Sequence, residues 1–280
     1  MPTRADVVPP TRDDRAGSLP CTPESSRIEQ LFSSHDLHII KSSGIDLGRM
    51  NDFILKTEAV GAKVSKLTLA TARWAQTFAG DPDKQFLVEG CAYGFSWPSK
   101  DPPEFYEIPN FVKPEFEHLI TKRLAEEVEH GRIVRANKDQ VCGFAAIGVV
   151  DKQKSGFTKY RVIQDFSRPA GSSVNDNANP TKRKFTTFRQ AMDLLRPNAF
   201  QCKIDLKDAY RSVPLAPEWW PRHAYVWKNQ VYMDTRTPFG TNGAPAMFDR
   251  ITQAVVRMMK AHGFPSTLGY LDDFWVLVAD

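Results

Sequence analysis

Cysteine is scarce. The chain has four (Cys21, Cys91, Cys142 and Cys202), far apart, none in CxxC spacing and none beside a histidine cluster. That excludes a zinc ribbon and a disulfide framework and leaves four isolated small hydrophobes. Long apolar runs are missing too: none approaches the roughly 20 residues that a membrane-spanning helix needs. Residues 1–23 are polar, charged and Pro-rich, without the apolar core of a signal peptide. The expectation is an intracellular protein with no membrane partner, and nothing chooses nucleus over cytoplasm. Internal repeats are absent. A large charge excess is absent as well: 37 Lys and Arg against 33 Asp and Glu give +4, too mild to name a partner if spread evenly.

What is present is a globular balance of 41% hydrophobic and 25% charged residues over 280 positions, enough for one large domain or two ordinary ones. The positive charge is clustered. Lys152, Lys154, Lys159, Arg161 and Arg168 fall close together, followed by Lys182, Arg183, Lys184 and Arg189. Such clusters suit phosphate contacts, although a solvated face is the commoner use of a charge run.

Residues 1–26 read as a flexible tail dominated by Pro, Thr, Ser and mixed charge. Residues 27–110 read as a helical and irregular extension. Leu55, Val60, Val64, Leu67 and Leu69 suggest one apolar helical face, and 81–111, rich in Pro and aromatics, suggests an irregular strap. A helix is expected over 114–130, with Phe116, Leu119, Ile120, Leu124 and Val128 on one side and Gly131 as its stop. Strands are expected at 144–150 and 160–166 around a basic turn, and a short helix at 187–195. A buried strand follows at 200–206, then a hairpin from 223–226 and 231–235, a second long helix at 244–262, and a strand–turn–strand unit at 267–279.

Three acids stand out. Asp205 ends an apolar strand, and Asp272 and Asp273 interrupt an apolar hairpin. Acids in such settings are costly unless paired, neutralised or bound to metal. Carboxylates from neighbouring strands can bridge two Mg²⁺ ions about 3.5–4 Å apart, the arrangement for in-line phosphoryl displacement.

The segment KIDLKDAYRSVPL at 203–215 resembles the first palm motif of reverse transcriptases, and YLDD at 270–273 resembles their YxDD motif. Between them, TPFGTNGAPAMF at 237–248 is similar to the loop and helix beneath the template-primer. Upstream, YRVIQDF at 160–166 is similar to the fingers strand that holds the incoming triphosphate. YLDD alone is a weak signal; four motifs in order are strong. The resemblance covers roughly residues 86–280. The stretches 161–176 and 231–240 look most like retrotransposons of the DIRS type, which integrate with a tyrosine recombinase.

The resemblance implies an α+β right-hand polymerase fold, with fingers and an antiparallel palm sheet backed by helices over 111–280. The family places a primer grip and a thumb after YxDD. Here only residues 274–280 follow, so the domain is expected to be incomplete and without a thumb. The implied activity is RNA-directed DNA synthesis on an RNA template and DNA primer from deoxynucleoside triphosphates, with two Mg²⁺ ions (Mn²⁺ as substitute). Asp205 and Asp272 would hold the metals, helped by Asp273 and the Leu206 carbonyl. Arg161 with Lys152 or Lys154 would neutralise the β and γ phosphates.

Tyr210, five positions after Asp205, would exclude a ribose 2′-hydroxyl, and Phe239 and Gly240 would lie near the nascent pair. Set against these are plainer readings: Tyr210 as core, Arg161 as a surface residue, and Phe239 and Phe248 as core. Asp208 reads as structural, in the manner of a helix cap, and His118, His223 and His262 as inert. The alternative functions are a non-catalytic nucleic-acid-binding remnant of a retroelement, an RNA-directed RNA polymerase and a metal-dependent nuclease. Tyr210 and YxDD argue against the RNA polymerase; the 237–248 motif argues against the nuclease.

Overall fold

The computed structural model describes residues 26–100, 105–154, 157–179 and 181–278, with side chains at all of these but 152–158. The expected tail therefore lies outside the described residues, apart from Ser26. The described residues begin with six helices: α1 (Arg27–Leu31), α2 (Ser34–Ser42), α3 (Leu47–Ala59), α4 (Lys66–Leu69), α5 (Thr71–Thr77) and α6 (Lys84–Tyr93). Ser33, Asp46 and Ser65 cap α2, α3 and α4 through side-chain oxygens that accept backbone N–H groups.

Two sequence expectations are corrected here. Leu55 and Leu69 are exposed, whereas Met50, Phe53, Ile54 and Thr57 face inward. The expected stripe ran across the end of α3 and a left-handed turn at Gly61 (φ 82°), so Leu55 on α3 and Leu67 and Leu69 on α4 do not form one helical face. The expected strap contains α6, whose Leu87, Val88, Cys91 and Ala92 are buried. At Gly90 the Phe95 ring lies against the helix; a Cβ there would meet that ring at 2.2 Å.

After a short strand β1 (Tyr106–Glu107), a 3₁₀ turn at Pro114–Phe116 leads into α7 (Glu117–Glu129). The chain turns at Gly131 (φ 66°), as its position predicts. β2 (Ile133–Ala136), β3 (Gly143–Phe144) and a long hairpin of β4 (Ala146–Lys154) and β5 (Phe157–Asp165) follow, then α8 (Val174–Asn177) and α9 (Phe188–Leu194). β6 (Phe200–Asp205), α10 (Ala209–Ser212), β7 (Ala224–Trp227), β8 (Gln230–Asp234), α11 (Gly243–Ala261), β9 (Ser266–Tyr270) and β10 (Asp273–Val278) complete the fold. The β7–β8 turn uses Lys228 and Asn229, both with positive φ, as a two-residue hairpin loop requires.

Two antiparallel three-stranded sheets organise the molecule, in the orders β2-β8-β7 and β6-β10-β9. β9 lies against α11, and Gly269 makes the approach possible: a Cβ there would meet Thr252 Cγ2 at 2.5 Å. The largest core joins the N-terminal helices to the rest of the chain, with Leu87, Cys91 and Phe95 packed among Leu215, Trp219, Met247 and Phe248. Arg257 pairs with Asp81 and Asp83 at 2.7 and 2.9 Å, and Arg250 reaches Asp83 at 2.7 Å, so α11 is fastened to the segment that precedes α6. Among the described residues no helix is long and apolar enough to cross a membrane.

β6 was expected to be buried and is not. Every residue in it is exposed, Phe200 by 68%. Among the described residues it is the edge strand of its sheet, hydrogen-bonded to β10 alone. An apolar run signals a buried strand only when a layer covers each face, and composition does not reveal whether that layer exists.

Candidate active site

β6 and β10 run antiparallel with Asp205 and Asp273 as register partners. Directly opposed residues share a sheet face, and so do residues two apart on one strand. Lys203, Asp205 and Asp273 therefore sit together. Lys203 Nζ lies 3.0 Å from Asp273 Oδ1. That contact first, and then the nearby charges of Asp205 and Asp272, push the Lys203 ammonium above its ordinary pKa.

Asp272 sits in the two-residue turn between β9 and β10, and its carbonyl accepts from the Leu206 N–H at 3.0 Å. The turn holds Leu271 in the left-handed region (φ 53°), a conformation that costs a non-glycine residue about 1 kcal/mol or more. α11 steadies it: Thr252 Oγ1 donates to the Leu271 carbonyl at 2.6 Å and Gln253 Nε2 to the Gly269 carbonyl at 3.3 Å.

The acids thus come from two adjoining strand ends and the turn beside them. They are hard oxygen donors of the kind that suits a divalent cation whose shell phosphate and water complete. Among the described residues no group of three or more His, Cys, Asp or Glu side chains is gathered as a metal cage. Asp273 is engaged by Lys203 instead.

Tyr210 is buried. Its ring stacks on Phe248 at 4.8 Å and 25° and meets Phe239 at 5.2 Å. Burial first, then the charge of Asp272, pushes its phenol well above the ordinary range, so it stays neutral. Phe248 is core, but Phe239 is 52% exposed, against the plain reading that made both of them core. Gly240 has φ 90°, and a Cβ on it would approach the Gln164 carbonyl at 3.0 Å. Arg161 is exposed on β5, opposite Val150. Lys152 and Lys154 lie on β4, Lys152 in register with Lys159, and their side chains lie outside the described residues. Of the second basic cluster, Arg183 is committed to the buried Asp249 at 2.8 Å.

Asp208 is the residue before α10, as expected for a cap, but its side chain does not cap. It accepts from Arg132 Nη2 at 2.9 Å while its backbone takes φ 54°. His223 is fully buried, and burial lowers its pKa to about 4.

Sequence reasoning missed a buried ionic cluster made by Glu127, Arg211 and Asp234. One signal was available: Glu127 follows Ile120 and Leu124 at helical spacing and so falls on the apolar stripe of α7. Asn175 was missed as well. Its side chain ties α8 to Gly240 and Asn242.

Residues 148–280 match the family model described as reverse transcriptase (RNA-dependent DNA polymerase). The chain is 30% identical over 132 residues to the Gag-Pol polyprotein of avian reticuloendotheliosis virus, covering 44% of this chain and 11% of that one. It is 28% identical over 120 residues to the retrovirus-related Pol polyprotein from transposon 297 of Drosophila melanogaster, covering 42% and 10%. The chain thus spans about a tenth of the length of these relatives. A foamy viral protease-reverse transcriptase, solved in complex with an RNA/DNA hybrid, superposes with a TM-score of 0.53 at 13% identity, covering 89% of this chain and 29% of that one. The fold is consistent with that of a reverse-transcriptase polymerase.

Proposed function

We propose that this chain is the nucleotide-adding part of an RNA-directed DNA polymerase from a retroelement, acting on an RNA template, a DNA primer and deoxynucleoside triphosphates. The observation that carries the reading is the opposition of Asp205 and Asp273 with Asp272 in the adjoining turn. Asp205 and Asp272 would hold two Mg²⁺ ions, or Mn²⁺, with Asp273 and the Leu206 carbonyl as auxiliary donors. Bound there, the ions supply positive charge to the primer 3′-hydroxyl and the triphosphate. Arg161, with Lys152 or Lys154, neutralises the β and γ phosphates; its planar fork suits two phosphate oxygens at once. Tyr210, held by Phe248, excludes a 2′-hydroxyl by its bulk. Gly240 and the exposed Phe239 border the nascent pair. The RNA/DNA hybrid held by the foamy viral neighbour supports the choice of nucleic acid. The DIRS-type origin is a finer proposal that rests on 161–176 and 231–240; a tyrosine-recombinase frame beside the natural gene would support it.

Primer extension on an RNA template with Mg²⁺ tests the main reading, with deoxy- and ribonucleotides supplied separately. Template-directed addition of deoxynucleotides is expected. A second reading, a nucleic-acid-binding remnant, is favoured by one observation: the acids do not form a gathered cage among the described residues. Hybrid binding without any addition would select it.

A further inference from the structure

α10 is a single turn of four residues entered through a left-handed Asp208. A helix that short has almost no stability of its own, so side-chain contacts set its orientation. It carries Tyr210 on one side and Arg211 on another. Arg211 is 4% exposed and makes contacts in three directions. Nε and Nη2 donate to Glu127 Oε2 on α7 at 2.9 and 2.8 Å. Nη1 lies 2.6 Å from Asp234 Oδ1 at the end of β8, although neither Asp234 oxygen finds a well-angled donor. The same Nη1 donates to the Arg236 and Thr237 carbonyls at 3.3 and 3.4 Å. These carbonyls lead directly into Pro238, Phe239 and Gly240, and the Phe239 ring touches Tyr210.

The far side of the cluster closes on the same turn. Glu127 also pairs with Arg123 at 2.8 Å and Arg132 at 3.3 Å, and Arg132 holds Asp208 at 2.9 Å. Both ends of α10 are therefore tied to α7 through arginines. Buried ion pairs contribute little to stability relative to well-packed hydrophobes, so stability alone does not account for this one. What a planar guanidinium adds is direction: its donors fix α7, β8 and the 237–240 segment at set angles to one another.

We propose that Glu127, Arg211 and Asp234 are positioning residues that set the Tyr210 ring against the 237–240 segment and thereby fix discrimination between deoxy- and ribonucleotides. The inference rests on the polymerase reading given above. Arg211→Lys keeps the charge and loses the fork; Glu127→Gln and Asp234→Asn keep shape and lose charge. Misplacing a group by an ångström can cost up to about a hundredfold in rate, so a drop of about tenfold in deoxy-over-ribo selectivity is expected for Arg211→Lys. The deoxynucleotide KM should rise more than kcat falls.

A decisive readout is the double variant. Tyr210→Ala alone should lose selectivity, and adding Arg211→Lys should lose no more, because one acts through the other. If Arg211→Lys does not fold, Glu127→Gln and Asp234→Asn carry the same comparison. Unchanged selectivity in folded variants, or full additivity with Tyr210→Ala, overturns the positioning role alone. Absence of incorporation by the unmodified protein overturns the polymerase reading and this inference with it.

Discussion

Asn175 Nδ2 donates to the Gly240 carbonyl at 2.9 Å, while its Oδ1 accepts from the Asn242 N–H at 2.8 Å. One buried amide thus joins the segment after β5 to the loop that opens α11. A third bond, from Nδ2 to Ser167 Oγ at 2.9 Å, completes its donors. Asn175→Ala removes the bonds to the Gly240 carbonyl and the Asn242 N–H; both of those residues are exposed, so water takes over part of the role and the cost is roughly 0.5–1.5 kcal/mol for each bond lost. The expected outcome is a lower thermal midpoint together with weaker nucleotide binding. Asn175→Asp should restore the bond to Asn242 and not the one to Gly240, giving an intermediate midpoint by calorimetry.

Asp272→Asn separates catalysis from folding. Asp272 is partly exposed on the turn that adjoins the opposed Asp205 and Asp273. Removing one of several like charges leaves stability unchanged or slightly raised, within about 0.5 kcal/mol. Nucleotide addition should vanish in primer extension. A variant that extends primers at the unmodified rate refutes the assignment of metal-holding to Asp272.

How much of this was legible in the sequence varies by element, for physical reasons. α7 and α11 announced themselves because each is long, amphipathic and closed by a left-handed residue or glycine. The β9–β10 hairpin was readable because two acids interrupt a β-branched and aromatic run. α6 was hidden because a glycine and several aromatics resemble loop composition, and only the seat of the Phe95 ring explains Gly90. The exposure of β6 depends on what does not cover it, which no local pattern encodes. Arg211 and Asp234 lie 23 positions apart and meet only after β8 has paired with β2 and β7.

Gly269→Ala tests the seating of the acid-bearing turn on α11. The added Cβ would lie 2.5 Å from Thr252 Cγ2 and 2.9 Å from Val256 Cγ2, inside any tolerable contact. Overpacking of this kind typically costs about 1–3 kcal/mol. Because Thr252 also holds the Leu271 carbonyl, incorporation should fall as well. Thr252→Ser in the same chain removes the nearer methyl and keeps the hydroxyl, so it should recover part of the midpoint and the activity, the contact with Val256 accounting for the remainder. Failure of that rescue would show that the turn is not seated through this contact.

His223 gives the fold a defined acid sensitivity. Its Nδ1 donates to the Trp219 carbonyl at 2.9 Å, and Nε2, surrounded by Trp97, Phe166 and Trp219, is buried with no partner among the described residues. Burial holds the ring neutral, with a pKa of about 4 against an ordinary 6.5. The unfolded chain therefore takes up a proton before the folded one does. The associated stability is fully present above pH 6.5 and is lost as the pH falls toward 4, up to roughly 3 kcal/mol. Asp234 works in the opposite sense: burial first, partly opposed by Arg211, raises its pKa to about 6, so protonation between pH 6 and 4 favours the folded state. The two partly cancel in the unmodified protein. His223→Gln removes the destabilising member and should leave a midpoint that falls less, or even rises, on acidification from pH 6.5 to 5. A slope identical to that of the unmodified chain would show that His223 is not the group that titrates.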